Sequence, residues 1–297
     1  YPNFTQVTRE DSDALYAYLR TVPAVKQPNR PHALRFPYDS QLALAVWRAL
    51  YFTPETFEPD PKRSAEWNRG SYLVRGLGHC NACHASRNLL GATTGKLELG
   101  GGLIPMQNWY APSLASPHEA GVADWETPQV VALLKDGAAA RGSVLGPMAE
   151  VVYRSTQYLM PADLQAMAVF LQQLPQSPPP EPREKIKRDP TLMQRGARLY
   201  EDHCAQCHGK QGQGALRAYP PLAGNRAVTM DTPANLIRVV VNGGYLPSTA
   251  GNPRPYGMPP FSYRFDDTEI AEVLSFIRGS WGNDAPTVSA LDVLHYR

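Results

Sequence analysis

The chain has 297 residues, 43% hydrophobic and 19% charged, a composition that suits one large globular domain or two to three small ones. Its 29 basic and 27 acidic residues leave a formal charge of +2, so neither a nucleic-acid footprint nor an acidic tail is present. No apolar run approaches the roughly 20 residues needed to span a bilayer, and no secretory-signal pattern opens the chain.

From the N-terminus, Thr8-Arg9-Glu10-Asp11 forms a helix cap ahead of Ala14-Leu15-Tyr16-Ala17-Tyr18-Leu19, which ends at Pro23. Proline, at 29 residues the compositional outlier, clusters in Phe52–Pro61 and Pro175–Pro190, and both clusters read as extended linkers. Between them Arg69-Gly70-Ser71-Tyr72-Leu73 predicts a short helix, followed by Cys80-Asn81-Ala82-Cys83-His84 and Ala111-Pro112-Ser113-Leu114. A helical stretch from Thr127 to Gly137 and a closing helix from Ala162 to Leu174 complete this unit. In the closing helix Leu164, Met167, Ala168, Phe170 and Leu171 keep helical spacing, and Asp163 suits the positive end of the helix dipole.

The order then repeats. Arg195-Gly196-Ala197-Arg198-Leu199-Tyr200 leads into Cys204-Ala205-Gln206-Cys207-His208, and Tyr219-Pro220-Pro221-Leu222 follows. Helical stretches run from Thr232 to Gly243 and from Asp266 to Arg278, with Asp266 and Asp267 at the start of the second. The N-terminal helix aligns with the closing ones: its Ala14–Leu19 run, ending at Pro23, matches Ala166–Leu171, ending at Pro175. Three closing helices against two motifs predict that this chain begins inside a first domain whose earlier half is absent.

These four cysteines are the only ones in the chain. A disulfide framework is a poor reading for a chain of this length, and the two pairs lie too far apart for the roughly 12–20-residue spacing of a zinc site. A thioredoxin-type pair leaves the histidine after each motif unexplained. Cys-x-x-Cys-His is the signature of c-type haem attachment: two thiols form thioethers to the porphyrin edge and the adjacent imidazole takes the iron. The expectation is therefore two haems c in this chain, held covalently by Cys80 and Cys83 and by Cys204 and Cys207, with His84 and His208 as axial ligands. The expected fold is all-α, as tandem class I cytochrome c domains joined by proline-rich linkers. Residues 1–60 would be the remnant of a first domain with its linker, 61–178 the middle domain and 185–297 the last.

The second axial ligand of such an iron is commonly methionine. In the last unit Met258, in the rigid stretch Tyr256-Gly257-Met258-Pro259-Pro260 before the closing helix, is the choice over Met230 and Met193. In the middle unit Met148, within Gly146-Pro147-Met148, has a loop context; Met160 precedes the closing helix and Met167 lies within it. Pro112 and either Pro220 or Pro221 are candidates to offer a carbonyl to the imidazoles. Arg87, Trp109, Tyr219 and Arg226 are candidates for contacts with haem propionates or edges. His79 and His203, directly before the motifs, face solvent or propionates rather than iron.

Several stretches carry a family resemblance. Trp67-Asn68-Arg69-Gly70-Ser71-Tyr72-Leu73, Gly76-Leu77-Gly78-His79-Cys80, Met148-Ala149-Glu150-Val151-Val152, Tyr219-Pro220-Pro221-Leu222-Ala223-Gly224 and Trp281-Gly282-Asn283 resemble the triple-haem cytochrome c subunits of membrane-bound periplasmic dehydrogenases. These subunits serve quinoprotein alcohol dehydrogenases and molybdenum-containing aldehyde or N-heterocycle dehydrogenases. The resemblance covers essentially the whole chain and favours Met148 over Met160. It departs from the family at the N-terminus, where the first haem motif is absent, so it implies three haems in the intact protein. Leu34-Arg35-Phe36-Pro37-Tyr38 with Leu42–Tyr51 resembles the family's connection between its first two domains, and Arg35–Phe52 is closer to the molybdenum branch.

The function so implied is electron transfer, from a catalytic dehydrogenase subunit to ubiquinone or a terminal oxidase, with no side-chain catalysis in this chain. The alternatives are a self-contained dihaem enzyme, such as a thiosulfate dehydrogenase or a peroxidase, and a freely diffusing dihaem shuttle. The expected location is the periplasm, at the inner membrane, reached through the partner or through a short surface helix near Val288–Leu294.

Overall fold

The computed structural model describes residues 2–94, 98–178, 186–216 and 218–297. In chain order its helices are α1 Arg9–Leu19, α2 Gln41–Tyr51, α3 Ala65–Tyr72, α4 Thr127–Asp136, α5 Pro147–Arg154, α6 Pro161–Gln172, α7 Pro190–His203, α8 Ala205–His208, α9 Arg226–Thr229, α10 Ala234–Asn242, α11 Asp267–Arg278 and α12 Ala290–Tyr296. Four antiparallel hairpins complete it: β1 (Ser86–Arg87) with β2 (Thr93–Thr94), β3 (Gly102–Ile104) with β4 (Trp109–Ala111), β5 (Ala138–Ala139) with β6 (Gly142–Ser143), and β7 (Gly244–Tyr245) with β8 (Gly257–Met258). No helix among the described residues is long and apolar enough to cross a membrane.

Local chemistry sets the helix starts. The Thr8 hydroxyl accepts from the Asp11 amide and the Ser64 hydroxyl from the Trp67 amide. Asp266 and Glu269 close a reciprocal capping box on α11, while α5, α6 and α7 begin with proline, which has no amide hydrogen to leave unpaired. Gly137 ends α4 in the left-handed conformation, as the helix–glycine pattern predicts.

Apolar side chains bury into two separate cores. Leu73, Val74, Val130, Leu134, Leu164, Met167 and Phe170 belong to the first; Tyr200, Ile237, Val240, Ile270, Leu274 and Val293 belong to the second. Each core is built on one helix crossing, α3 on α6 and α7 on α11. Gly70 and Gly196 lie at these crossings, where a β-carbon would overlap the carbonyl oxygens of Ala166 and Glu272. Beside each glycine an arginine ties the pair: Arg69 Nε to Asp163 at 2.8 Å, and Arg195 Nε to Glu272 at 2.6 Å.

Helix α1 resembles the closing helices in sequence but buries none of its residues, whereas α6 and α11 are lined with them. It is held at its N-terminus, where the Tyr72 hydroxyl bonds Asp11 at 2.5 Å and accepts from the Thr8 amide. In the C-terminal helix α12 Val293 is buried in the second core, as is Val288 just before it, whereas Leu291 and Leu294 are exposed. Met148 lies in a helix rather than a loop, because Gly146 turns the chain with φ 57° and Pro147 starts α5. The first linker, residues 52–60, has no regular structure, and Phe57 packs at a tilt against Tyr72 with centroids 5.0 Å apart. The second is described only at 175–178 and 186–189 before Pro190 starts α7, the rest lying outside the described residues.

Two candidate haem-attachment sites

The first motif follows α3 through a wide turn, Leu73–Leu77, and a left-handed residue, His79 (φ 37°). Cys80–Ala82 forms one tight turn, and the amides of Cys83 and His84 both donate to the Cys80 carbonyl, at 3.2 and 2.9 Å. The second motif caps α7 with Cys204 and runs through α8, where the amides of Cys207 and His208 donate to the Cys204 carbonyl at the same two distances. One helical turn thus gathers two thiols and an imidazole at each site. All four cysteines are unpaired. Burial pushes the Cys80 thiol up to about 12 and the Cys204 thiol up to about 11, against the lowered values of reactive dithiols.

Both imidazoles are aimed in the same way. His84 Nδ1 lies 2.7 Å from the Pro112 carbonyl oxygen, and His208 Nδ1 lies 3.0 Å from that of Pro220. Pro220, not Pro221, takes this role. Backbone bonds brace each loop: the Gly101 amide donates to the His84 carbonyl at 3.0 Å and the Gly214 amide to that of His208 at 2.8 Å. Burial lowers both histidine pKa values despite the carbonyl bonds, which favours the neutral ring. A carbonyl accepts only, so Nδ1 carries the proton and Nε2 is left with a bare lone pair, the form that ligates a metal.

The methionines separate by burial. Met148 is partly buried against the first core, and Met258, on β8 opposite Gly244, is partly buried against the second. Met160 is 68% exposed at the N-cap of α6, and Met106 is fully exposed. Met167 and Met230 are buried in packing positions, and Met193 lies on α7 ahead of its motif.

Among the other candidates, Arg87 spends its guanidinium on the carbonyls of Ala82 (2.7 Å) and Gly91 (2.9 Å), bracing the first attachment loop. Arg226 donates to the Gly121 carbonyl (2.8 Å) and Asp124 (2.6 Å), joining the two cores' regions. Trp109 packs on Gly146, and Tyr219 faces Tyr256 with centroids 5.2 Å apart. His79 is exposed and lies against Phe4 (4.8 Å), and His203 packs edge-on to Phe265 (5.2 Å). Sequence reasoning missed Glu119, which accepts from the Ser113 amide at 2.7 Å and the Tyr110 hydroxyl at 3.1 Å and so fixes the strand that presents Pro112. A lone glutamate carries no sequence signal for that task.

The fit to haem is good on the chain's own evidence. Each site offers two unpaired thiols one turn apart, an imidazole with a free Nε2, and an apolar rim of half-buried residues. Leu77, Leu114 and Met148 are partly buried against the first core together with Cys80, and Leu222, Met258 and Phe261 against the second together with Cys204. No three His, Cys, Asp or Glu side chains converge as a metal-ion site among the described residues.

A cytochrome c family model matches residues 193–281. The alcohol dehydrogenase (quinone) cytochrome c subunit of Komagataeibacter europaeus is 38% identical to this chain over 314 aligned positions, covering all of the chain and 67% of the relative. The gluconate 2-dehydrogenase cytochrome c subunit of Pantoea cypripedii is 33% identical, again over the whole chain and 71% of the relative. The fructose dehydrogenase cytochrome subunit of Gluconobacter japonicus is 30% identical over 98% of the chain and 64% of the relative. The chain therefore spans about two thirds of the length of these relatives.

Proposed function

The chain belongs to the cytochrome c subunit family of these dehydrogenases, and on that premise we propose that it is the electron-transfer subunit of a dehydrogenase complex. The observation that carries the reading is the duplicated clamp, His84 to Pro112 and His208 to Pro220, each directly behind a Cys-x-x-Cys pair. In this reading Cys80 and Cys83 hold one haem c and Cys204 and Cys207 a second, as two tandem class I cytochrome c domains. His84 with Met148, and His208 with Met258, would hold the two irons. When bound, the iron exchanges single electrons between its ferrous and ferric states.

The chain's own residues orient, exclude and tune. The carbonyls of Pro112 and Pro220 fix the imidazole tautomer and raise the basicity of Nε2. Held by an imidazole and a thioether, each haem would leave substrate no open position, and the methionine sulfur would favour a high potential.

The protein is located in the periplasm at the inner membrane. Electrons enter from a catalytic subunit that oxidises an alcohol or an aldehyde and leave to ubiquinone or a terminal oxidase.

Two measurements test this. The intact mass of the chain expressed with a haem-attachment system should exceed the polypeptide mass by two haems. Mixed with its dehydrogenase partner and substrate, the chain should develop the sharp visible bands of ferrous haem c. Bands that stay ferric while the partner turns over would overturn the reading.

A further inference from the structure

Strand β4 touches both sides of the first site. Tyr110 stands two residues before Pro112, whose carbonyl oxygen accepts a hydrogen bond from His84 Nδ1. The preceding residue, Trp109, lays its indole on Gly146, where a β-carbon would stand 2.7 Å from the ring; Pro147 and Met148 follow at once. The strand's position therefore bears on the imidazole and on the methionine together.

This strand is gripped from the other unit. Asn235, on α10 of the C-terminal unit, accepts from the Tyr110 amide through Oδ1 at 2.9 Å and donates through Nδ2 to the Tyr110 carbonyl at 2.7 Å. A primary amide presents a donor and an acceptor in one plane, so Asn235 completes the free edge of β4 as a neighbouring strand residue would. Arg238, almost one turn further along α10, sets its guanidinium carbon 5.5 Å from the Trp109 ring centroid. Its Nη1 donates to the Tyr296 carbonyl at 3.3 Å, while its buried Nε has no hydrogen-bond partner among the described residues. The charge is met by the face of the indole, an arrangement that gains strength when water is excluded.

We propose that Asn235 and Arg238 are positioning residues for the site of the preceding unit, holding β4 so that the Pro112 carbonyl and Met148 meet the iron correctly. Correct ligation at the first site then depends on docking of the C-terminal unit. The two electron stations are mechanically coupled: the first reaches its working potential only when the second is in place. This inference rests on the assignment of His84 and Met148 as axial ligands.

The test uses the haem-loaded full chain carrying Asn235→Ala with Arg238→Ala, titrated potentiometrically while the weak far-red methionine–iron band is recorded. The expected result is loss of roughly half of that band, since two sites contribute to it. One of the two midpoint potentials should fall and the other stay. Arg238→Lys, which keeps the cation, should restore most of the loss when paired with native Asn235. Should the double variant fail to accumulate, Asn235→Ala alone is read in the same way. Two unchanged midpoints with a full band would overturn the proposal. Met148→Ala separates the two levels of argument. If it leaves the band whole, the ligand assignment fails; if it removes half of the band while the α10 variants remove none, only the positioning role fails.

Discussion

Gly70 and Ala166 meet backbone to backbone: a β-carbon on Gly70 would overlap the Ala166 carbonyl oxygen, so α3 and α6 cross without a side chain between them. Gly196 stands in the same relation to Glu272 on α11. Both crossings lead directly into a Cys-x-x-Cys-His turn, so the helix contact sets where each attachment loop begins. Gly70→Ala and Gly196→Ala should each destabilise their unit by about 2 kcal/mol or more, because neither neighbour is a movable side-chain tip. Thermal unfolding followed by haem absorbance at each site reads the loss, and an unchanged midpoint would contradict the tight crossing.

The methionine assignment divides cleanly by substitution. Met148→Ala and Met258→Ala should each abolish one share of the methionine–iron band and lower one midpoint potential, since removing a thioether ligand favours the ferric state. Met160→Leu should change neither, because that side chain is 68% exposed. Spectropotentiometry of the three variants checks the pattern.

Glu119 takes the Ser113 amide and the Tyr110 hydroxyl, on either side of the Pro112 carbonyl. Burial beside this carboxylate pushes the Tyr110 hydroxyl well above its ordinary range, so it remains a protonated donor. Glu119→Ala leaves the Ser113 amide without its partner and should cost about 1–3 kcal/mol. The midpoint of the first site should move as well. Denaturant unfolding and a redox titration of the same variant measure the two effects.

Asp124 is shared by Arg141 and Arg226, each at 2.6 Å, and the second of these comes from the other unit. Partial burial raises its carboxyl, but the two guanidinium bonds outweigh that and hold it below the usual carboxylate range. A folded-state pKa lowered in this way gives stabilisation that is present above the ordinary carboxylate pKa and is lost as pH falls through the lowered one. The groups are 48%, 45% and 25% exposed, so solvent screening limits the contribution to about 1 kcal/mol or less. Asp124→Asn should therefore be slightly less stable than the parent at neutral pH and equal to it near the acid limit. Unfolding midpoints across pH test the sign.

The local sequence determined a good deal of this molecule. Five residues in a row place two thiols and an imidazole on one turn, because helical geometry does that wherever the motif is embedded. Thr8 and Asp266 mark helix starts through bonds that reach only three residues, and the prolines at 147, 161 and 190 do so by their fixed backbone angle and missing amide hydrogen. The repeated Arg-Gly pairs, 69–70 and 195–196, already marked the two equivalent helices. What the sequence left open were the long-range partners: Pro220 over Pro221, Glu119 beneath the Pro112 strand, and Arg226 bound to Asp124 across the units. Helix α1 shows the limit most plainly, since its apolar pattern matches that of the closing helices and yet none of its side chains is buried. Pattern reports which face a helix offers, but burial depends on what the tertiary structure brings against it. The twin Cys-x-x-Cys-His turns were therefore legible in the sequence, whereas the carbonyl each imidazole meets, and the neighbouring unit that steadies it, were decided by packing.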